Sequence, residues 1–138
     1  MDALYETVAH ATGDGRNGHA RTDDGMVDVD VRVPTELGGP GGATNPEQLF
    51  AAGYAACFHS AMKLVAKSVD VDATDSAVSV TVGLGMHDSG AFNLELDIDV
   101  HVPNATREQA QSLVERAHEV CPYSNATRGN VEVKLGVV

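Results

Sequence analysis

Apolar and polar residues alternate in four stretches of the chain and recur at helical spacing in two others. From Met26 to Val33, MVDVDVRV places Val27, Val29, Val31 and Val33 on one face and Asp28, Asp30 and Arg32 on the other. That pattern predicts a half-buried strand. Val78 to Met86 alternates through Val78, Val80, Val82, Leu84 and Met86. Phe92 to Val102 does so through Phe92, Leu94, Leu96, Ile98, Val100 and Val102, and HDSGA between them predicts a hairpin. Val131, Val133, Leu135 and Val137 predict a last strand. Ahead of these, Leu4 to Ala11 reads as a strand, the turn signal GDGRNG (Gly13 to Gly18) reverses the chain, and His19 to Thr22 returns to a second turn at DDG.

The helical stretches carry their own punctuation. PTELGGPGGATN (Pro34 to Asn45) is a loop, since its glycines and prolines forbid regular structure. Asn45 then caps a helix, Pro46 takes its first position, and Glu47 suits the positive end of the helix dipole. This helix runs to about Ser68 with Phe50, Tyr54, Cys57, Ala61, Leu64 and Val65 on its apolar face. In a second helix, Thr106 and Gln109 form a capping box, Ala110, Leu113, Val114, Ala117 and Cys121 form the stripe, and Pro122 stops it. The predicted order is β-β-β-α-β-β-α-β, an α+β protein with mainly antiparallel strands. No linker, repeat or low-complexity segment interrupts it, so residues 1–138 are expected to form a single domain.

Composition narrows the function. Aromatic residues make up 4% and tryptophan is absent, so the core is expected to be Val, Leu and Ala. No uninterrupted apolar run reaches the ~18 residues of a membrane span. MDALYETVAHATGDG lacks a basic and an apolar region of the secretory kind, so the default expectation is cytoplasmic. A net charge of −11 argues against nucleic acid or an anionic membrane as partner. In a reducing compartment, two cysteines suit a transient disulfide better than a static one.

Those cysteines are Cys57, deep in NPEQLFAAGYAACF, and Cys121, at the end of the second helix. Packing the two helices through their apolar faces brings the thiols together as a dithiol redox centre. The competing reading makes both small, inert core residues. A free thiol has a pKa near ~8.5 and burial raises it, so a reactive Cys57 needs a cation from another segment. Arg16, on the glycine-rich turn, is the candidate, unless it is a plain solvated arginine. Cys121 sits where the helix dipole disfavours an anion, which suits a resolving thiol. Glu47 lies about 15 Å of helical rise from Cys57. A role at the same site therefore requires a helix break near Gly53 or a second subunit. His118 and Cys121 share a face, but no CxxC or HxxxH spacing exists, and no metal site is expected. GLG and GGPGG lack the spacing of a nucleotide-binding loop.

ATNPEQLFAAGYAACF (Ala43 to Phe58) and CPYSNATRGN (Cys121 to Asn130) together resemble the organic hydroperoxide resistance branch of the OsmC/Ohr family, as do ATGDGRNGHA and ELGGPGGATNPEQLF. The ending CPYSNATRGN favours this branch over the OsmC branch. The resemblance spans nearly the whole chain and implies an OsmC-like fold, with antiparallel sheets around two central helices in an intertwined homodimer. It implies a thiol-dependent peroxidase that reduces alkyl or lipid hydroperoxides to alcohols, in defence against oxidative stress, without metal, haem or flavin. Cys57 matches the peroxidatic cysteine, Cys121 the resolving one, Arg16 the arginine that steadies the thiolate, and Glu47 the glutamate that holds that arginine. The donor it implies is the dihydrolipoyl group of a lipoylated protein. Leu49, Phe50 and Tyr54 are candidate apolar walls of a substrate pocket and equally good core residues. Two other classes stay open: a non-enzymatic dimeric binding domain, and a disulfide-exchange or OsmC-branch protein.

Overall fold

The first forty-nine residues build a small antiparallel sheet and a looped connection. In the computed structural model, which describes residues 1–138, they form one compact unit, Met1–Leu49, and Phe50–Val138 form another. The sheet has the order β1 (Ala9–Thr12), β2 (His19–Thr22), β3 (Asp28–Asp30). Both outer strands are shorter than the alternation predicts. Leu4, Tyr5 and Val8 stand exposed, and although the Val8 carbonyl accepts the Asp23 N–H at 3.1 Å, the strand register starts only at Ala9. Beyond Asp30 the chain leaves the sheet. The Val31 N–H donates to the Gly18 carbonyl at 3.0 Å, Val31 bridges Thr44 in parallel, and the Val33 N–H turns to the Asn17 side chain at 3.0 Å. The turn between β1 and β2 holds a single 3₁₀ turn, Gly15–Asn17. It closes on Gly18, where a Cβ would lie 2.2 Å from the Thr12 carbonyl oxygen, so only glycine fits.

Asn45 accepts the Gln48 N–H at 2.9 Å and starts α1 (Pro46–Ser68), as its sequence predicts. α1 is one continuous helix through Gly53. Its buried stripe is Tyr54, Phe58, Ala61, Met62 and Val65. Leu64, expected on the buried face, is 64% exposed, because it lies about 60° outside the buried arc that runs from Ala61 through Tyr54 and Val65 to Ala66. By length and composition alone α1 is apolar enough for a membrane span, despite its polar interruptions. In this fold the stripe is core.

β4 (Ala77–Met86) and β5 (Phe92–His101) pair antiparallel along their full length, from Ala77↔His101 to Met86↔Phe92, around the expected hairpin. α2 (Arg107–Val120) opens on the predicted capping box. The Gln109 N–H donates to Thr106 Oγ1 at 3.1 Å and the Thr106 N–H to Gln109 Oε1 at 2.9 Å. Pro122 does not end the helical structure. It opens a further helix, α3 (Pro122–Thr127), occupying a first-turn position where its missing N–H costs nothing. Cys121 is the joint, extended at φ −61°, ψ 123°, between the two helices. β6 (Val133–Val137) then returns alongside β5, parallel to it, with Leu96↔Val133 to Val100↔Val137 in register. The α2–α3 crossover makes that parallel pairing possible. Leu96, Ile98 and Val100 of β5 close a core with the α1 stripe and with Leu113, Val114 and Ala117 of α2. The order is thus β-β-β-α-β-β-α-α-β, with α3 as the addition.

Candidate functional site

The Phe50–Val138 unit brings the two thiols together. Cys57, on the flank of the α1 stripe, is half-buried, and Cys121 is fully buried. Both are free, and their Sγ atoms are 3.5 Å apart in hydrogen-bond contact. A disulfide needs about 2.05 Å, so a small displacement separates this dithiol from a bond. Burial, first, and the neighbouring Cys121 thiol hold the Cys57 pKa above the ordinary thiol value, while the backbone N–H of Tyr123 on α3 pulls it down. The burial effect is the one expected from an apolar helix. Sequence reasoning misses the Tyr123 N–H, because Pro122 reads there as a stop although Pro also marks helix starts.

Three aromatic rings pack next to the thiols' helices. Phe50 and Tyr54 meet edge-on with centroids 6.0 Å apart, Tyr54 and Tyr123 at 5.7 Å, and Phe50 and Tyr123 at 6.4 Å. Phe50 is half-buried, Tyr123 exposed, and Tyr54 entirely inside. The Tyr54 hydroxyl lies 2.7 Å from Ser124 Oγ and 3.2 Å from Thr127 Oγ1. Leu49, the third residue expected at a pocket, is half-buried at the end of the Met1–Leu49 unit.

The Met1–Leu49 unit holds the other two expected site residues as a pair. Arg16, on the 3₁₀ turn, donates Nη1 and Nη2 to the two carboxylate oxygens of Glu47, each at 2.8 Å. This is the bidentate fork that only arginine presents to a carboxylate. Glu47, in the first turn of α1, is the more sheltered partner, with 17% of its side chain exposed against 44% for Arg16. The Arg16 hydrogen bonds hold the Glu47 pKa below the usual carboxylate range, and Glu47 in turn raises that of Arg16. No break at Gly53 relieves the helical separation of Glu47 from Cys57.

No group of three or more His, Cys, Asp or Glu side chains is placed to hold a metal ion. His118 is partly buried with Nδ1 unpartnered, and burial followed by the Arg128 charge lowers its pKa, which favours the neutral ring.

Comparison with known proteins gives concordant matches. The family model described as OsmC-like protein matches residues 39–136. The organic hydroperoxide resistance protein of Xanthomonas axonopodis pv. citri is 48% identical over 134 residues, covering 96% of this chain and 93% of that protein. A crystal structure of an organic hydroperoxide resistance protein from Legionella pneumophila superposes with a TM-score of 0.94 at 51% identity, covering 99% of this chain and 98% of that one. The crystal structure of a putative organic hydroperoxide resistance protein from Vibrio cholerae, with captopril bound in one of the active sites, superposes with a TM-score of 0.93 at 45% identity, covering 99% of this chain and 94% of that one.

Proposed function

The chain belongs to the OsmC-like family, in its organic hydroperoxide resistance branch, and on that premise we propose that it is a thiol-dependent peroxidase that reduces organic hydroperoxides to alcohols in defence against oxidative stress. The observation that carries this reading is the 3.5 Å contact between two free thiols, one half-buried and one fully buried.

The cycle balances with thiols and peroxide alone. The Cys57 thiolate attacks the distal peroxide oxygen and the O–O bond breaks. The alkoxide takes a proton and leaves as alcohol, and Cys57 is left as a sulfenic acid. Cys121 attacks that sulfur, water departs, and a Cys57–Cys121 disulfide forms. A dithiol donor, the dihydrolipoyl group of a lipoylated protein, exchanges into the disulfide, returns both thiols and leaves as its own cyclic disulfide. Burial works against the Cys57 thiolate, and Arg16, kept oriented by Glu47, is the cation assigned to offset it. Phe50 and Tyr123 supply an apolar wall for the alkyl group, with the fully buried Tyr54 packed behind it as core rather than lining.

The active form is a homodimer with two shared sites. All four residues of β1 are exposed within one chain, as are Leu4, Tyr5 and Val8, which fits a sheet covered by a second copy. Cys57 and Cys121 of one subunit would work with Arg16 and Glu47 of the other.

The test is a peroxide assay on the reduced protein, with cumene hydroperoxide against hydrogen peroxide and with dihydrolipoamide, glutathione and thioredoxin as competing donors. Faster consumption of cumene hydroperoxide, sustained by dihydrolipoamide, is expected, and mass spectrometry should show an intramolecular Cys57–Cys121 bridge. Thiols that stay slow towards both peroxides in the native state would return the protein to the inert-core reading.

A further inference from the structure

Within one turn of α1, three residues touch the segment that carries the second thiol. Gly53 lies under the Tyr123 ring, where a Cβ would already stand 3.4 Å from Cε2 and 3.5 Å from the hydroxyl oxygen. Tyr54 reaches Ser124 and Thr127 through its hydroxyl, and Cys57 meets Cys121. Tyr54 and Ser124 are completely buried and Thr127 nearly so, in a cluster otherwise made of apolar side chains. A phenylalanine would fill the same space. The phenol adds direction instead, because a buried hydroxyl must be paired and pairs only along its bond directions. Thr127 Oγ1 also donates to the Ser124 carbonyl at 3.2 Å, so the three hydroxyls form a closed set.

The short α3 needs such an anchor. Its six residues are too few to hold a helix unaided, since helices under about 12 residues are marginal in water. Its position therefore comes from what it touches, and Cys121 and Tyr123, at its start, move with it.

We propose that Tyr54 is a positioning residue for the thiol pair: its hydroxyl, bonded to Ser124 and Thr127, fixes α3 so that Cys121 Sγ stays directed at Cys57 Sγ. The inference rests on the peroxidase reading for its role in turnover, though the positioning itself is independent of which oxidant arrives.

The experiment uses the full chain as wild type, Tyr54→Phe, Ser124→Ala and Ser124→Thr. The Cys57 thiolate is titrated by its ultraviolet absorbance, and disulfide closure is followed after cumene hydroperoxide and, separately, after diamide, a general dithiol oxidant. Melting temperatures are recorded alongside, and all rates are taken well below them. Tyr54→Phe and Ser124→Ala are expected to shift the thiolate midpoint and to slow closure with both oxidants by roughly tenfold, the scale of one lost buried hydrogen bond. Ser124→Thr, which keeps the hydroxyl, is expected to close faster than Ser124→Ala. If Tyr54→Phe only melts earlier, with thiolate midpoint and closure rates of the wild type, Tyr54 is packing and the proposal is overturned. Should Tyr54→Phe fail to fold, equal closure by Ser124→Ala and Ser124→Thr overturns it. A wild type that closes with diamide but not with cumene hydroperoxide sinks the peroxidase reading alone.

Discussion

Cys57 holds its thiol where burial opposes ionisation, so its reactivity depends on a few neighbouring groups. Cys57→Ser should abolish peroxide reduction, because a hydroxyl supplies almost no anion at neutral pH. Cys121→Ser should allow one oxidation and then stall with a dithiol donor, read as a single burst. Normal turnover in that variant would remove Cys121 from the resolving role. Arg16→Ala should raise the Cys57 thiolate midpoint by about 1–3 pH units, with Arg16→Lys recovering only part of it, since a point charge lacks the fork that Glu47 grips. An unmoved midpoint would exclude Arg16 from the site. Because Glu47 titrates lower folded than unfolded, the stability it brings is present above the unfolded carboxylate range and lost as pH falls through its folded pKa. The stability gap between wild type and Glu47→Gln should therefore be constant near neutrality and close in acid, as denaturant titration at several pH values would show.

At the scale of elements, the regular periods were legible. Strict alternation marked β4 and β5 almost to the residue, and Thr106 with Gln109 marked the start of α2. Thr106→Ala should cost about 1 kcal/mol in urea unfolding with the thiol chemistry untouched, the usual scale of a lost N-cap. What the sequence hid was non-local. Cys121 and Pro122 look like an ending until α3 is seen to need α1, and the hydroxyl pairing of Tyr54 with Ser124 joins residues with no periodic relation. The short β3 was overestimated for a related reason, since Val31 and Val33 give their N–H groups to Gly18 and Asn17 rather than to a strand. β3 has a device of its own. His19 on β2 contacts Asp30 at 2.8 Å and Asp28 at 2.5 Å, and those carboxylates, Asp30 first, raise its pKa. A histidine whose folded pKa is raised contributes below its unfolded pKa of about 6.5 and loses that contribution as pH climbs through the folded value. Amide exchange at Asp28–Asp30 should accelerate beyond its intrinsic pH dependence over that interval, and His19→Gln should remove the excess.

For the whole molecule, the division of the expected site residues is the informative point: Arg16 with Glu47 in one unit, Cys57 with Cys121 in the other. The proposed shared site joins the Arg16–Glu47 pair of one copy to the thiols of another, and it can be tested by complementation. Inactive Cys57→Ser, unfolded and refolded with inactive Arg16→Ala, should regain activity, since one site of each heterodimer would be wild type at every position. Heterodimers that form and stay inactive would mean that each site is built within one chain. The −11 charge keeps such dimers mutually repelling and dispersed. The parallel seating of β6 on β5 has a further consequence, in the order of biosynthesis. β5 is the middle strand of its sheet, yet the neighbour that covers one of its edges is made only after α2 and α3 have been synthesised. Until then Leu96, Ile98 and Val100 lie along an open edge of the kind that recruits other chains. The nascent protein therefore depends on β6, and a message cut short before Val133 should yield aggregate rather than a shorter folded protein.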